Sequence, residues 1–218
     1  MPPAPQALPP GLRGPVEVAL TRSSEVIPGQ RALAGGTRYE LKWDGFRLVV
    51  VHDGRRVRLW SRRGTDLTTR FPEIAAAAAS QVAPGSVLDG EVVVWAGERL
   101  DFDLLQRRLV TSPARIGALV RANHASYVAF DVLAAGYTDQ RQLPWTARRD
   151  VLEDLARGWT SPLELSPYTA DVDEATAWFT DFAPAGIEGL VCKGASSRYQ
   201  PGKRAAWVKV NSVGVQPV

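Results

Sequence analysis

The chain has 218 residues, 45% hydrophobic and 22% charged, a composition that supports one sizeable core in water. Its single cysteine, Cys192, excludes an internal disulfide, and one cysteine with two histidines excludes a zinc cage of the usual kind, so any metal is expected to be a hard one on carboxylates and phosphates, such as Mg²⁺ or Mn²⁺. With no signal peptide, no long apolar run and a net charge of +3, the chain is expected in a reducing cytoplasm, off the membrane, with nucleic acid a permitted partner.

Residues 1–15 carry six prolines (Pro2, Pro3, Pro5, Pro9, Pro10 and Pro15) and are expected to form a disordered arm, leaving 16–218 as one domain. Apolar, β-branched runs bounded by turns predict strands over 39–42, 46–52, 57–60, 87–95, 126–133, 163–168, 187–193 and 206–210. Asp53-Gly54 predicts a tight hairpin turn between the second and third of these. Helices are predicted at about 71–81, 101–110, 144–157 and 173–182. The first follows Phe71-Pro72-Glu73 and holds the run Ala75–Ala79, alanine being the best helix former. The third opens at Pro144 and spaces Trp145, Val151, Leu152 and Leu155 as core anchors. Strands joined by short turns, with helices interspersed irregularly, predict an α+β domain of mainly antiparallel sheets flanked by helices. No glycine-rich phosphate loop is present, so a nucleotide would have to bind by another route.

Lys42 carries the most chemistry. It ends the apolar run Tyr39-Glu40-Leu41-Lys42, just before Trp43-Asp44-Gly45, and Arg47 opens the next apolar stretch. An amine held at a strand end can be deprotonated and act as a nucleophile, although a snorkelling lysine has the same local pattern. Glu91 lies inside the strand run Val87–Val94 and should face a ligand or a cation, because an unpartnered buried acid is costly. Phe130 stands beside Asp131, Glu188 and Lys193 bracket an apolar strand, and Lys209 projects from the last one. Arginines crowd at Arg55, Arg56, Arg58, Arg62 and Arg63, and a second basic group holds Arg198, Lys203, Arg204 and Lys209. Each cluster suits a solvated surface or a phosphate-binding face equally well. Cys192 is expected only to pack.

In this order, the motifs resemble those of the ATP-dependent DNA ligases, a superfamily shared with RNA ligases and mRNA capping enzymes. The resemblance runs from about residue 16 to the end. The likeness is strongest to the bacterial ligases of end-joining repair, through Lys42-Trp43-Asp44-Gly45-Phe46-Arg47, Leu59-Trp60-Ser61-Arg62-Arg63-Gly64, Leu67–Glu73 and Leu100–Gln106. It implies a nucleotidyltransferase (ATP-grasp-like) domain in which Lys42 attacks the α-phosphate of ATP to form lysyl-AMP. AMP then passes to the 5′-phosphate of a nick in double-stranded DNA, and the strands are joined in repair or recombination. By the same resemblance Glu40 and Leu41 lie at the adenine, Arg47 at the ribose and phosphate, and Glu91 at the ribose hydroxyls. Phe130 stacks on adenine, and Lys193 and Lys209 neutralise the α-phosphate. Glu188, with Glu91, places the metal. Arg62, with Arg63, Lys203 and Arg204, meets DNA, which implies a nucleoid-associated protein.

Two departures accompany the likeness. Asn211 is neutral where the family carries a second basic residue after Lys209. None of the residues resembles the OB-fold domain with which ligases clamp DNA, which leaves open a lone nucleotidyltransferase domain, a truncated product or half of an enzyme whose OB-fold is a separate chain, and sealing is expected to be weak or absent without an OB-fold or end-joining partner. An RNA ligase or capping-type enzyme, and a non-catalytic nucleotide- or DNA-binding remnant, are the alternative readings.

Overall fold

The strands of the protein, described over residues 6–211 in a computed structural model, fall into two sheets. The first half of the chain forms β1 (Thr21–Ser24), β2 (Thr37–Lys42), β3 (Phe46–His52), β4 (Val57–Ser61), α1 (Pro72–Gln81), β5 (Ser86–Ala96), β6 (Arg99–Leu100) and α2 (Phe102–Val110). The second half forms α3 (Pro113–Ala122), β7 (Ala125–Ala135), β8 (Thr138–Asp139), α4 (Trp145–Ala156), β9 (Leu163–Leu165), β10 (Tyr168–Thr169), α5 (Val172–Asp181), β11 (Gly189–Gly194) and β12 (Trp207–Asn211). One sheet runs β1-β12-β11-β2-β10 and the other β4-β3-β5-β7-β8, with β6 on β5 and β9 on β7. All pairings are antiparallel except β1 with β12 and β7 with β9. The predicted α+β class with mainly antiparallel sheets and flanking helices is therefore what forms.

Alternation along the strands sorts the residues into layers. One face of the β2–β11–β12 sheet buries Tyr39, Leu190, Cys192, Val208 and Val210 against Ala175 of α5. Burial pushes the Cys192 thiol up to about 12, so this residue packs and does no chemistry. The outer face of the other sheet, with Leu48, Val50, Leu88 and Val92, takes Ile74, Ala77 and Ala78 of α1, Leu105 of α2 and Leu152 of α4. Between the sheets, Val49, Val51, Val87, Phe130 and Leu133 meet Trp207 and Tyr199.

Two expectations change. The Pro-rich arm is not disordered over its described part, 6–15. Leu8 and Leu12 are 2% and 0% exposed and join Val16 and Val18 in the layer between the sheets. Proline content reports backbone stiffness, but two leucines at the right places still bury apolar surface. Residues 1–5 lie outside the described residues. The strand predicted over 163–168 is two strands on different sheets, β9 and β10. The Ser166 N–H makes the last ladder bond of β9, to Ala129 O (2.8 Å), and Pro167, with no N–H to give, ends that pairing. The predicted Asp53-Gly54 turn is a loop of residues 53–56, with Gly54 at φ +90° and the Asp53 carboxylate accepting from the N–H groups of Arg55 and Arg56.

Leu12→Ala should cost about 2–4 kcal/mol of unfolding free energy in urea denaturation, the usual loss for a fully buried leucine. An unchanged midpoint would mean the arm is not packed.

Candidate active site

β2 and β3 are consecutive in the chain but belong to different sheets, so Trp43-Asp44-Gly45 is a crossing between layers and not a hairpin. Lys42 is the last residue of β2, at that crossing. Strand register puts Lys42, Gly189 and Asn211 in one row, and Glu40, Val191 and Lys209 in the next row on the same face. Lys193 and Trp207 continue that face. It looks into a cavity lined by Thr21, Glu40, Leu41, Lys42, Arg47, Glu91, Phe130, Val191, Lys193 and Trp207. Most of the residues expected at the nucleotide therefore meet in one place. Leu41 borders the cavity while its side chain packs with Val93, Leu100, Val128 and Ile187.

Two glycines permit the crossing. A Cβ on Gly45 would stand 2.4 Å from Val92 O and 2.9 Å from Glu91 Cγ. A Cβ on Gly189, at φ +143°, would stand 2.0 Å from Val210 O. Glycine alone lets the backbone beside Lys42 and beside Glu188 approach the neighbouring strands. Glu188 is held next to the nucleophile by its own N–H, which donates to Lys42 O at 2.9 Å, and its carboxylate forms an ion pair with Lys42 Nζ. Burial pushes the Lys42 amine below the ordinary lysine range. Lys209 adds to this, while Glu91 and Asp44 oppose it.

Arg47 is fixed. It donates to both oxygens of the fully buried Asp89, from Nε at 2.6 Å and Nη2 at 2.5 Å. Tyr199 Oη donates to the same carboxylate at 2.5 Å and accepts from the Ala19 N–H. Burial alone would lower the Arg47 pKa, but Asp89 raises it well beyond the ordinary value, so the guanidinium stays charged. It lies 4.8 Å from the centroid of the Phe130 ring and 5.2 Å from that of Trp207.

Lys193 differs from expectation. It is 0% exposed, with Nζ 2.8 Å from Glu40 Oε2 and 3.9 Å from Asp131 Oδ2, donating also to Phe130 O at 3.3 Å. Its charge is engaged with Glu40 at the floor of the cavity that it lines. Arg148 pairs with Asp131 behind it at 2.7 Å. Lys209, half-buried in the row of Glu40, makes no ion pair among the described residues, but it is not among the residues that line the cavity.

Glu91 lines this cavity and also an adjacent open groove with Gly45, Phe46, Arg47, Ser61, Arg62, Arg63, Thr65, Thr69 and Arg70. Arg62 and Arg63 are exposed there, as expected. Lys203 instead lines a separate depression with Gln142, Arg198, Tyr199 and Gln200, and Arg204 reaches Thr21 O from the surface. The structure does not bring these two into the Arg62 groove. Asp89, Asp131, Trp145 and Tyr199 also shape the site, through partners that local sequence does not report. Asp89 stands two residues before Glu91 in the strand run, and it is the fold that brings it to Arg47.

Among the described residues no three His, Cys, Asp or Glu side chains are grouped to hold a metal alone. Glu91 and Glu188, both beside Lys42, are oxygen donors of the kind Mg²⁺ uses when phosphates complete its shell, so the residues fit that ion. Among the described residues no helix is long and apolar enough to cross a membrane.

A half-buried lysine with a lowered pKa, on the inner face of paired antiparallel sheets, is the arrangement that a covalent nucleotidyltransferase needs. The family profile described as "ATP dependent DNA ligase domain" matches residues 24–211. DNA ligase C2 of Mycolicibacterium smegmatis is 38% identical over 190 residues, and DNA ligase C of Mycobacterium tuberculosis 37% over 194, each match covering 87% of this chain and 52% of the relative. A solved structure described as mycobacterial DNA ligase D complexed with ATP and MES superposes with TM-score 0.67 at 30% identity, over 89% of this chain and 60% of the other. This chain belongs to the ATP-dependent DNA ligase family, as an adenylation domain close to the bacterial end-joining ligases, and spans about half the length of the curated relatives it matches.

Burial raises the Glu91 carboxyl to about 7, against the cationic pull of Arg47 and Lys42. The unfolded chain releases this proton near pH 4.5 and the folded chain near 7. Stability from this group is therefore complete below pH 4.5 and is lost as pH rises through 7. Glu91→Gln should be more stable than the wild type by about 1–2 kcal/mol at pH 8, the gain shrinking towards pH 5. Urea titrations across that range measure it.

Proposed function

We propose that the chain performs the first step of ATP-dependent DNA ligation and passes AMP to nicked double-stranded DNA. The observation that carries this reading is the lowered pKa of Lys42 at the mouth of the cavity. The neutral amine attacks the α-phosphorus of ATP. An N–P bond forms, the P–O bond to the β-phosphate breaks, pyrophosphate leaves, and the amine gives up a proton. Glu40 and Phe130 hold adenine, with Phe130 offering a π-face, and Glu91 and Arg47 hold the ribose side. Lys209 neutralises charge that builds on the α-phosphate. Mg²⁺, held by Glu188 and Glu91 with the phosphates, supplies charge neutralisation when bound.

Arg62 and Arg63, in a groove that shares Arg47 and Glu91 with the cavity, take the 5′-phosphate of the nick. That continuity supports transfer of AMP from Lys42 to DNA without long travel. An OB-fold domain or an end-joining partner completes sealing, and a bacterial cytoplasm with access to the nucleoid is the setting. The relative in Mycobacterium bovis named multifunctional non-homologous end joining protein LigD, 38% identical over 176 residues, supports the repair context.

Incubation with [α-³²P]ATP and Mg²⁺ should label the wild type and leave Lys42→Ala unlabelled. Equal label on both would overturn the assignment, and preference for GTP would turn it towards a capping-type enzyme. Asn211 shares a sheet row with Lys42. Asn211→Lys should raise the rate of self-adenylation at saturating ATP about tenfold, the lower range for one added oxyanion-directed charge. An unchanged rate would mean that position does not meet the α-phosphate.

A further inference from the structure

Glu40 is held from two directions. Trp145 Nε1 donates to Oε1 at 3.0 Å and Lys193 Nζ to Oε2 at 2.8 Å. Trp145 and Glu40 are 1% and 2% exposed, and only Glu40 lines the cavity. An ionised carboxylate has about four acceptor sites. The two bonds occupy one on each oxygen, and capacity remains for a donor in the cavity.

The two holders are not equivalent. Lys193 is a flexible ammonium shared among Glu40, Asp131 and Phe130 O, so it supplies charge with little direction. Trp145 is a single donor on a rigid ring. The ring packs edge-on to Tyr168 at 4.9 Å, and Tyr168 pairs with Glu40 in the sheet. Trp145 also begins α4, and three and four residues on, Arg148 and Arg149 bind Asp131 and Ser166 O. The indole N–H therefore reaches Glu40 from a helix fixed to both sheets.

An acceptor-only group at a base edge favours a purine that presents an amine there and repels one that presents a carbonyl oxygen. We infer that Trp145 is a positioning residue that holds the Glu40 carboxylate in the orientation by which the pocket selects an amino-purine over an oxo-purine nucleoside triphosphate. This rests on the reading of Glu40 as a base contact. Without the indole N–H, Oε1 is left buried with an unmet acceptor, and the carboxylate is free to turn away from the base.

The test is calorimetric titration of the full chain with ATP and with inosine triphosphate, in EDTA so that only binding is read. Trp145→Phe removes the N–H. β-(3-benzothienyl)alanine installed at position 145 also removes it while keeping the bicyclic ring, and decides the matter if the phenylalanine variant does not fold. Loss of one hydrogen bond's worth of discrimination should lower the ATP preference about tenfold in either variant. Weakened packing alone would reduce both affinities alike and leave their ratio unchanged, which overturns the inference. Glu40→Gln separates the two readings. If it keeps the wild-type ATP preference, Glu40 does not read the base. If it loses that preference while both position-145 variants keep it, the role of Trp145 alone fails.

Discussion

Four buried charges in alternating order hold this molecule's two sheets in relation to each other. Arg148 of α4 pairs with Asp131 of β7 at 2.7 Å, Asp131 lies 3.9 Å from Lys193 of β11, and Lys193 lies 2.8 Å from Glu40 of β2. All four are at most 2% exposed. Taking such groups out of water costs more than an apolar contact of the same size returns unless every partner is present. What the row contributes is registration. A hydrophobic layer of Val, Leu and Phe tolerates small slips between sheets, whereas a chain of charges with fixed partners does not. The nucleotide cavity lies over this row, so its floor is set by the same contacts that align the layers.

That constraint explains why the nucleophile sits where the chain changes sheets. Lys42 closes β2 and, four residues later, β3 begins in the other layer. Residues drawn from both sheets, Glu40 and Lys193 on one side and Arg47 and Glu91 on the other, converge there. Arg47 repeats the logic of the buried row on the second sheet. Its bond pair to Asp89, backed by Tyr199, fixes a cation at the boundary between cavity and groove. Gly45 and Gly189 are the geometric conditions for this closeness, since any side chain there would meet a neighbouring strand.

Much of this was legible in the sequence, and the failures have physical causes. Strands of alternating or continuous β-branched character, such as Phe46–His52, announce themselves because burial on a pleated surface imposes a period. β1, Thr21–Ser24, does not, because a short polar edge strand has no apolar face to show. α3 opened on Ser112-Pro113, a usable start signal, but only Ile116 of it is buried, so it shows little apolar face. Lys42, Glu91 and Glu188 were found as chemistry because charged residues inside apolar runs are costly without a partner. Partners separated by long stretches of chain were not found: Arg47 with Asp89, Glu40 with Trp145, Asp131 with Arg148. Trp145 is a core anchor, as its helical spacing implied, and its N–H is a second property that spacing does not report. Lys193, expected at the α-phosphate, lies buried against Glu40 at the cavity floor, a pairing that its motif does not report.

The division between paired and unpaired cations then separates two tasks in the site. Arg47 and Lys193 are neutralised by Asp89 and Glu40, so they cannot contribute a full charge to a ligand without abandoning a buried carboxylate. They shape the cavity and offer ring-facing contacts around Phe130 and Trp207. Lys42 is held by Glu188, an exposed acid whose release to water is cheap. Charge fixed by buried partners therefore lies around Phe130 and Trp207, and charge with freer partners lies at Lys42, which is where the proposed reading puts the base and the reacting phosphorus respectively. Lys209 is the adjustable cation already free of an ion pair among the described residues, and it lowers the Lys42 pKa from the same sheet face. Asn211, two residues on and in the row of Lys42, is neutral, so on the proposed reading that duty falls to one side chain.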